Sequence, residues 1–117
     1  MYTASRVLIN VHVAGMQYWD GALVVDRLRP GSKLKLELEA DNPYDPNAVK
    51  VLYKGVKLGY LPRANNELFA QLLRFGHADV VGCRVLAVKP EERPWNQVFV
   101  SLYVRDAAKR GKKRRKR

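Results

Sequence analysis

The chain has one cysteine, Cys83, and only two histidines, His12 and His77. A lone thiol excludes an internal disulfide, and without a clustered Cys/His set a structural zinc site has no ligands. Long apolar runs are also missing. No window approaches the roughly 18 consecutive apolar residues that a membrane span needs, and Met1 to Asn10 has no short apolar core ahead of a small-residue cleavage site. A soluble, non-secreted protein is expected, with no membrane partner. The sequence contains no glycine-rich phosphate loop, no dinucleotide fingerprint, and no Ser-His-Asp or Cys-His set at a recognised spacing. ATP chemistry is thereby excluded, and neither cofactor nor metal is expected. The six prolines and eight glycines fall singly, so the 117 residues hold no low-complexity linker and amount to one domain.

What the chain has in excess is positive charge, +11 overall, and most of it is segregated. Eight of the 22 Lys and Arg residues lie in the terminal run Lys109, Arg110, Lys112, Lys113, Arg114, Arg115, Lys116 and Arg117. Up to Ala108 there are 14 basic residues against 11 acidic ones. The run has no apolar residue, and like charges at that density repel, so residues 107–117 are expected to form a disordered basic tail behind a domain at 1–106. Nucleic acid is the expected polyanion, bound by counterion release that is blind to sequence and steep in salt. The plainer readings are a solubilising end, an address signal at Lys112–Arg117, or an acidic membrane surface. The last is the weakest, because the run carries no Trp, Phe or Leu to sit at the acyl boundary.

The dominant hydrophobic period in the body is two. Val7, Ile9, Val11 and Val13 alternate with Leu8, Asn10 and His12, and Leu34, Leu36 and Leu38 alternate with charged residues. Each segment reads as a strand with one buried face. Val49–Tyr53 and Val56–Tyr60 flank Lys54-Gly55, a tight hairpin turn in which glycine supplies positive φ. Val80–Val88 and Val98–Val104 are further strands, separated by a loop bounded by Pro90 and Pro94. A helix is predicted after Asn65 as its cap, with Leu68, Phe69, Leu72, Leu73 and Phe75 as the core-facing stripe and Gly76 as the stop. Ala22–Leu28 fits either a strand or one or two helical turns. The resulting class is mainly β with α+β character: a small curled sheet or barrel of about six strands with one or two inserted helices. Cys83 shares a strand face with Val81 and Val85 and reads as an inert buried thiol. Tyr53 and Tyr103 read as packed aromatics.

The segment Asp41-Asn-Pro-Tyr-Asp-Pro-Asn-Ala-Val-Lys-Val51 is the most informative. Two X-Pro bonds and several Asx side chains in close succession make a stiff loop that bonds its own backbone, and it sets Tyr44 beside Asp45 at the rim of the sheet. Taken alone, Asn-Pro-Tyr-Asp fits an Asx turn in which Asp45 caps backbone amides.

This loop, followed by Leu58-Gly59-Tyr60-Leu61-Pro62-Arg63, then Asn66 and the helix ending at Gly76, resembles the HIRAN domain family. Gly15, Tyr18 and Gly21 fit the same pattern, and the resemblance covers roughly Val7 to Val104. It implies an OB-like β-barrel that grips the 3′ end of single-stranded DNA. In eukaryotes the domain precedes SWI/SNF-type translocases that reverse stalled forks; prokaryotes also carry it alone, and this chain looks like the stand-alone form. The resemblance puts Tyr18 and Tyr44 at positions that stack on terminal bases, since every base offers a π-face. It makes Asp45 the acceptor for the 3′-hydroxyl, Asn42 a contact to the last nucleotide, and Arg63 a phosphate contact. Tyr60 stands where a family relative has histidine and either donates to a phosphate or packs. The late aromatic contact falls on Phe99 or Trp95.

The expected function is a non-catalytic module for single-stranded DNA 3′ ends in repair, replication or recombination, with a helicase, translocase or nuclease acting in trans as partner. Its place would be the cytoplasm, nucleoid-associated, in a prokaryote and the nucleus in a eukaryote. Two alternatives stand beside it. One is a small barrel that binds structured RNA or a protein; the other is a metal-dependent nuclease in which Asp41 and Asp45 share Mg²⁺.

Overall fold

A computed structural model describes residues 5–105; the domain boundary at 106 and the basic run Lys109–Arg117 lie outside the described residues. Six strands form: β1 (Ser5–His12), β2 (Lys33–Leu38), β3 (Val49–Tyr53), β4 (Val56–Tyr60), β5 (Val81–Val88) and β6 (Val98–Arg105). They make one sheet in the order β1-β6-β5-β2-β3-β4, antiparallel throughout. The alternating segments become strands because one face of each can be buried. Val11, Leu34, Leu36, Val49, Val51, Val85, Val100 and Leu102 all point into a single core. Cys83 lies among them, and burial pushes its thiol pKa up to about 12. Tyr103 is buried and Tyr53 partly so.

The sheet curls but does not close into a barrel. β2 pairs with β5 at Lys33 and Leu34 and with β3 from Lys35 to Leu38, so one strand bends between two halves of the sheet. Register shifts at Val7/Ile9, Val51/Leu52 and Val85/Ala87 add to the coiling. The two edges, β1 and β4, then meet at a single antiparallel bridge, Ala14 with Tyr60, whose backbone bonds are both 2.8 Å. Gly59 permits the approach, since a Cβ there would run into the Ala14 carbonyl. Closure stops after one residue because Gly15, at φ 74°, turns the chain away into 3-10 turns at Met16–Tyr18, Asp20–Leu23 and Val25–Arg27. Those turns also settle Ala22–Leu28 in favour of helical turns.

The Lys54-Gly55 hairpin forms with both residues at positive φ, 47° and 85°, as a primed turn between right-twisted strands requires. Helix α1 spans Glu67–Arg74 and ends as expected. Gly76 sits at φ 86°, its N–H bonds the Leu73 carbonyl, and the His77 N–H bonds that of Leu72. Its start differs from expectation. Asn65 closes a 3-10 turn (Arg63–Asn65), the N-terminal flank is Asn66, and no side chain caps the helix. The stripe is narrower too. Phe69 and Ala70 are buried and Leu72 and Leu73 partly so, whereas Leu68 and Phe75 are exposed because 100° per residue carries them past the sheet. Val7 is 47% exposed, since the bulge at the next residue breaks the alternation. Between β5 and β6 the predicted loop contains one helical turn, α2 (Pro94–Gln97), with proline in the first helical position where its missing N–H costs nothing.

Candidate nucleic-acid interface

The bridge between the sheet edges, the loop after β2 and the start of α1 enclose a cleft of about 350 Å³. Asn42, Tyr44, Asp45, Tyr60 and Arg63 line it, so five of the predicted body residues converge although they lie on three separate segments. Tyr18, Phe99 and Trp95 do not line it. Tyr18 is 75% exposed at the end of its 3-10 turn. Phe99 lies on β6 with its ring 4.7 Å from that of His12. Trp95 lies on α2, which packs against the Tyr18 turn.

The loop is built by its own side chains. Asn42 Oδ1 accepts from the backbone N–H groups of Tyr44 (2.8 Å) and Asp45 (3.0 Å), while its Nδ2 donates to Glu39 Oε1 at 2.8 Å. This is the Asx turn that the sequence pattern fits, and it uses Asn42 Oδ1 twice as acceptor and one of the two Nδ2 hydrogens. Helix α1 clamps the loop from below. Arg74 donates to the Pro46 carbonyl at 2.8 Å, and Asn66, only 3% exposed, donates Nδ2 to Asp45 Oδ2 at 2.9 Å. The absent helix cap has its own reason, because the Asn66 backbone is already helical at φ −95° and ψ −16° and not extended as a capping residue is.

Asp45 is held by two hydrogen bonds and one ion pair. Oδ1 accepts the Asn47 N–H at 2.9 Å, and Oδ2 takes Asn66 and the Arg63 Nε at 3.5 Å. The Asn47 N–H and then Asn66, with the Arg63 guanidinium behind them, outweigh desolvation and hold the carboxyl below its ordinary pKa. The group is therefore an oriented, ionised acceptor with lone-pair capacity left on Oδ1. Beside it the Tyr44 ring is 84% exposed. Arg63 also reaches the Tyr44 carbonyl at 3.4 Å, yet its side chain is 71% exposed.

Tyr60 anchors the opposite wall through a network that the sequence pattern did not reveal. Its hydroxyl donates to Glu39 Oε1 at 2.7 Å and accepts from Lys57 Nζ at 2.7 Å, and Lys57 Nζ lies 3.5 Å from Glu39 Oε2. Lys57 also sits 3.4 Å from the Trp19 ring centroid and 4.4 Å from that of Tyr60, with the two rings edge to face at 6.1 Å. Burial by itself would raise the Glu39 carboxyl, but bonds from Tyr60 and Asn42 and the Lys57 charge bring it below its ordinary value. The single hydroxyl hydrogen of Tyr60 is thus spent on Glu39. Glu39 reads in the sequence as one of the charges alternating with Leu34, Leu36 and Leu38, and nothing local marks a partner 21 positions away. Trp19 carried one signal, its place next to Tyr18 in the chain.

The HIRAN domain family model matches residues 7–105. A rice (Oryza sativa subsp. japonica) Fanconi-associated nuclease 1 homolog is 30% identical over 87 residues, a match spanning 71% of this chain but only 9% of that protein. Among solved structures, a protein from Lactobacillus plantarum superposes with a TM-score of 0.73 at 28% identity, over 86% of this chain and 95% of that one. The HIRAN domain of human HLTF superposes with a TM-score of 0.65 over 93% of this chain and 86% of that one, and at 18% identity it attests the fold alone.

Proposed function

The chain belongs to the HIRAN domain family, and from that premise we propose that its cleft captures the 3′-hydroxyl end of a single DNA strand without cutting it. The observation that carries this reading is Asp45, a carboxylate fixed by two hydrogen bonds and an ion pair in an open cleft and flanked by an exposed aromatic ring. A carboxylate beside phosphates is repelled unless it receives a hydrogen bond from the ligand, and the terminal sugar offers an O–H that an internal phosphodiester lacks. Asp45 Oδ1 has the capacity to take it. Arg63 offsets the Asp45 charge and, being mostly exposed, reaches the adjoining phosphate. Tyr44 stacks on the last base, and Tyr18, outside the cleft with the Trp95 turn packed against its own, stacks on the strand as it leaves. Asn42 shapes the loop with Oδ1 and keeps one Nδ2 hydrogen for the last nucleotide, and Tyr60 packs, since its hydroxyl hydrogen is engaged by Glu39. Phe99 stands apart from this path. The basic run Lys109–Arg117 adds sequence-blind affinity.

A nuclease reading would require carboxylates to converge on a metal. Among the described residues no group of three or more His, Cys, Asp or Glu does so, and the two hydrogen bonds and the ion pair at Asp45 compete with a cation. The test is a fluorescence-anisotropy series with wild-type protein on one single-stranded sequence in three forms: 3′-hydroxyl, 3′-phosphate and covalently closed circle. Tightest binding to the 3′-hydroxyl form is expected, with strand length unchanged in Mg²⁺. Equal affinity for all three would overturn end recognition, and shortening of the strand would overturn the non-catalytic reading.

A further inference from the structure

The strand register sets Lys33 of β2 directly opposite Arg84 of β5. Both side chains are exposed on the outer face of the sheet, because the next opposed pair, Leu34 and Cys83, is buried in the core. The same row continues through Ser101 of β6, which is only 3% exposed, to Asn10 of β1 at the exposed edge. Like charges directly opposite each other in an antiparallel pair destabilise the sheet. Among the described residues the ion pairs go to Lys35, Lys50, Lys57 and Arg63, to neither member of this pair.

The arginine of this pair is also oriented in advance. Its guanidinium carbon lies 4.6 Å from the centroid of the Tyr103 ring, which covers Gly82, where a Cβ would run into it. Arg105 approaches the same ring at 5.6 Å, but it spends its donors on the carbonyls of Asp79 and Val81. Arg84 donates no side-chain hydrogen bond among the described residues. A guanidinium held against a ring face keeps N–H groups free for a phosphate, which Arg can bind bidentately.

We propose that the outer face of β2 and β5 is a second nucleic-acid surface, on which Lys33 and Arg84 bind the phosphodiester backbone of DNA that need not offer an end. It shares no residue with the cleft, and it stands independently of the 3′-end reading. An extended polyanion fits better than a compact anion, because the run Lys109–Arg117 begins in sequence just beyond Arg105 at the end of β6. With one strand end in the cleft and a backbone on the outer face, the protein would hold an end against a second stretch of DNA.

The test uses the full chain and covalently closed single-stranded circles, which have no end for the cleft. Lys33→Glu converts the repelling pair into an attractive one, so the variant is expected to melt at or above the wild-type temperature while binding circles about tenfold or more weakly near 0.1 M salt. Lys33→Gln with Arg84→Gln removes two phosphate contacts, so the plot of log affinity against log salt should become shallower by about 1.4. The preference for 3′-hydroxyl over 3′-phosphate linear strands should stay at the wild-type ratio. An unchanged affinity and salt slope for circles in the folded double variant would overturn the proposal. So would a loss confined to anionic phospholipid vesicles, which would make the face a membrane surface instead.

Discussion

Asp45 illustrates how neighbours turn an ordinary carboxylate into a fixed acceptor, and Asn66 does the largest share of this from a side chain. Replacing Asn66 with Ala strips a donor from Oδ2 and opens space under the loop. A loss of about 1–3 kcal/mol in stability is expected, read by chemical denaturation. The pH dependence should change with it. Because the Asp45 pKa is depressed in the folded state, the stability it contributes is complete above the ordinary carboxylate range near about 4 and is lost as the pH falls through the folded value. In Asn66→Ala the folded value rises, so this stability should be lost at a higher pH and its total should shrink. An acid-unfolding curve superposable on wild type would mean that Asn66 does not orient Asp45. Tyr60 makes the complementary case. Tyr60→Phe removes a hydroxyl that bridges Glu39 and Lys57, so it should cost about 1 kcal/mol of stability and leave 3′-hydroxyl affinity unchanged. Lost affinity with full stability would instead put that hydroxyl on the ligand.

At the scale of elements, the cleft exists because two sheet edges that never form a ladder touch once. Gly59→Ala would force its methyl against the Ala14 carbonyl and part the bridge. A destabilisation of about 1–3 kcal/mol is expected from overpacking. Faster amide hydrogen exchange is expected at both Ala14 and Tyr60, and unchanged exchange there would mean that the bridge does not hold the wall of the cleft. Much of this level was legible in the sequence. The period-two segments became strands, Lys54-Gly55 became the hairpin, and Gly76 ended the helix. What escaped was non-local. The helix stripe overran because Leu68 and Phe75 face beyond the edge of the sheet. The cap was misplaced because Asn65 and Asn66 are equivalent by propensity, and only the contact with Asp45 distinguishes them. Glu39, Lys57 and Tyr60 could not be joined because their meeting depends on how β2 and β4 flank β3.

For the whole molecule the organising feature is a division of charge: a nearly balanced body and a terminal basic run. The motif order in Asp41–Arg63 carried the family, and five of the seven predicted body residues do share one cleft. The mainly β sheet of six strands formed as expected, but its closure stops at the Ala14–Tyr60 bridge, since antiparallel order fixes neighbours but not whether the outermost two strands pair. Deleting Lys109–Arg117 should weaken binding to every nucleic acid and flatten its salt dependence while the preference for 3′-hydroxyl ends survives. Loss of that preference along with affinity would show that body and tail do not divide the work. The most direct measurement compares Asp45→Asn with wild type on 3′-hydroxyl and 3′-phosphate strands, with a thermal melt of each protein. The substitution keeps an acceptor and removes the charge, so 3′-hydroxyl binding should weaken by about 1.5–3 kcal/mol, and relief of repulsion should bring the two ligands together in affinity. A folded Asp45→Asn protein that retained the wild-type preference for the 3′-hydroxyl would contradict the role given to this carboxylate.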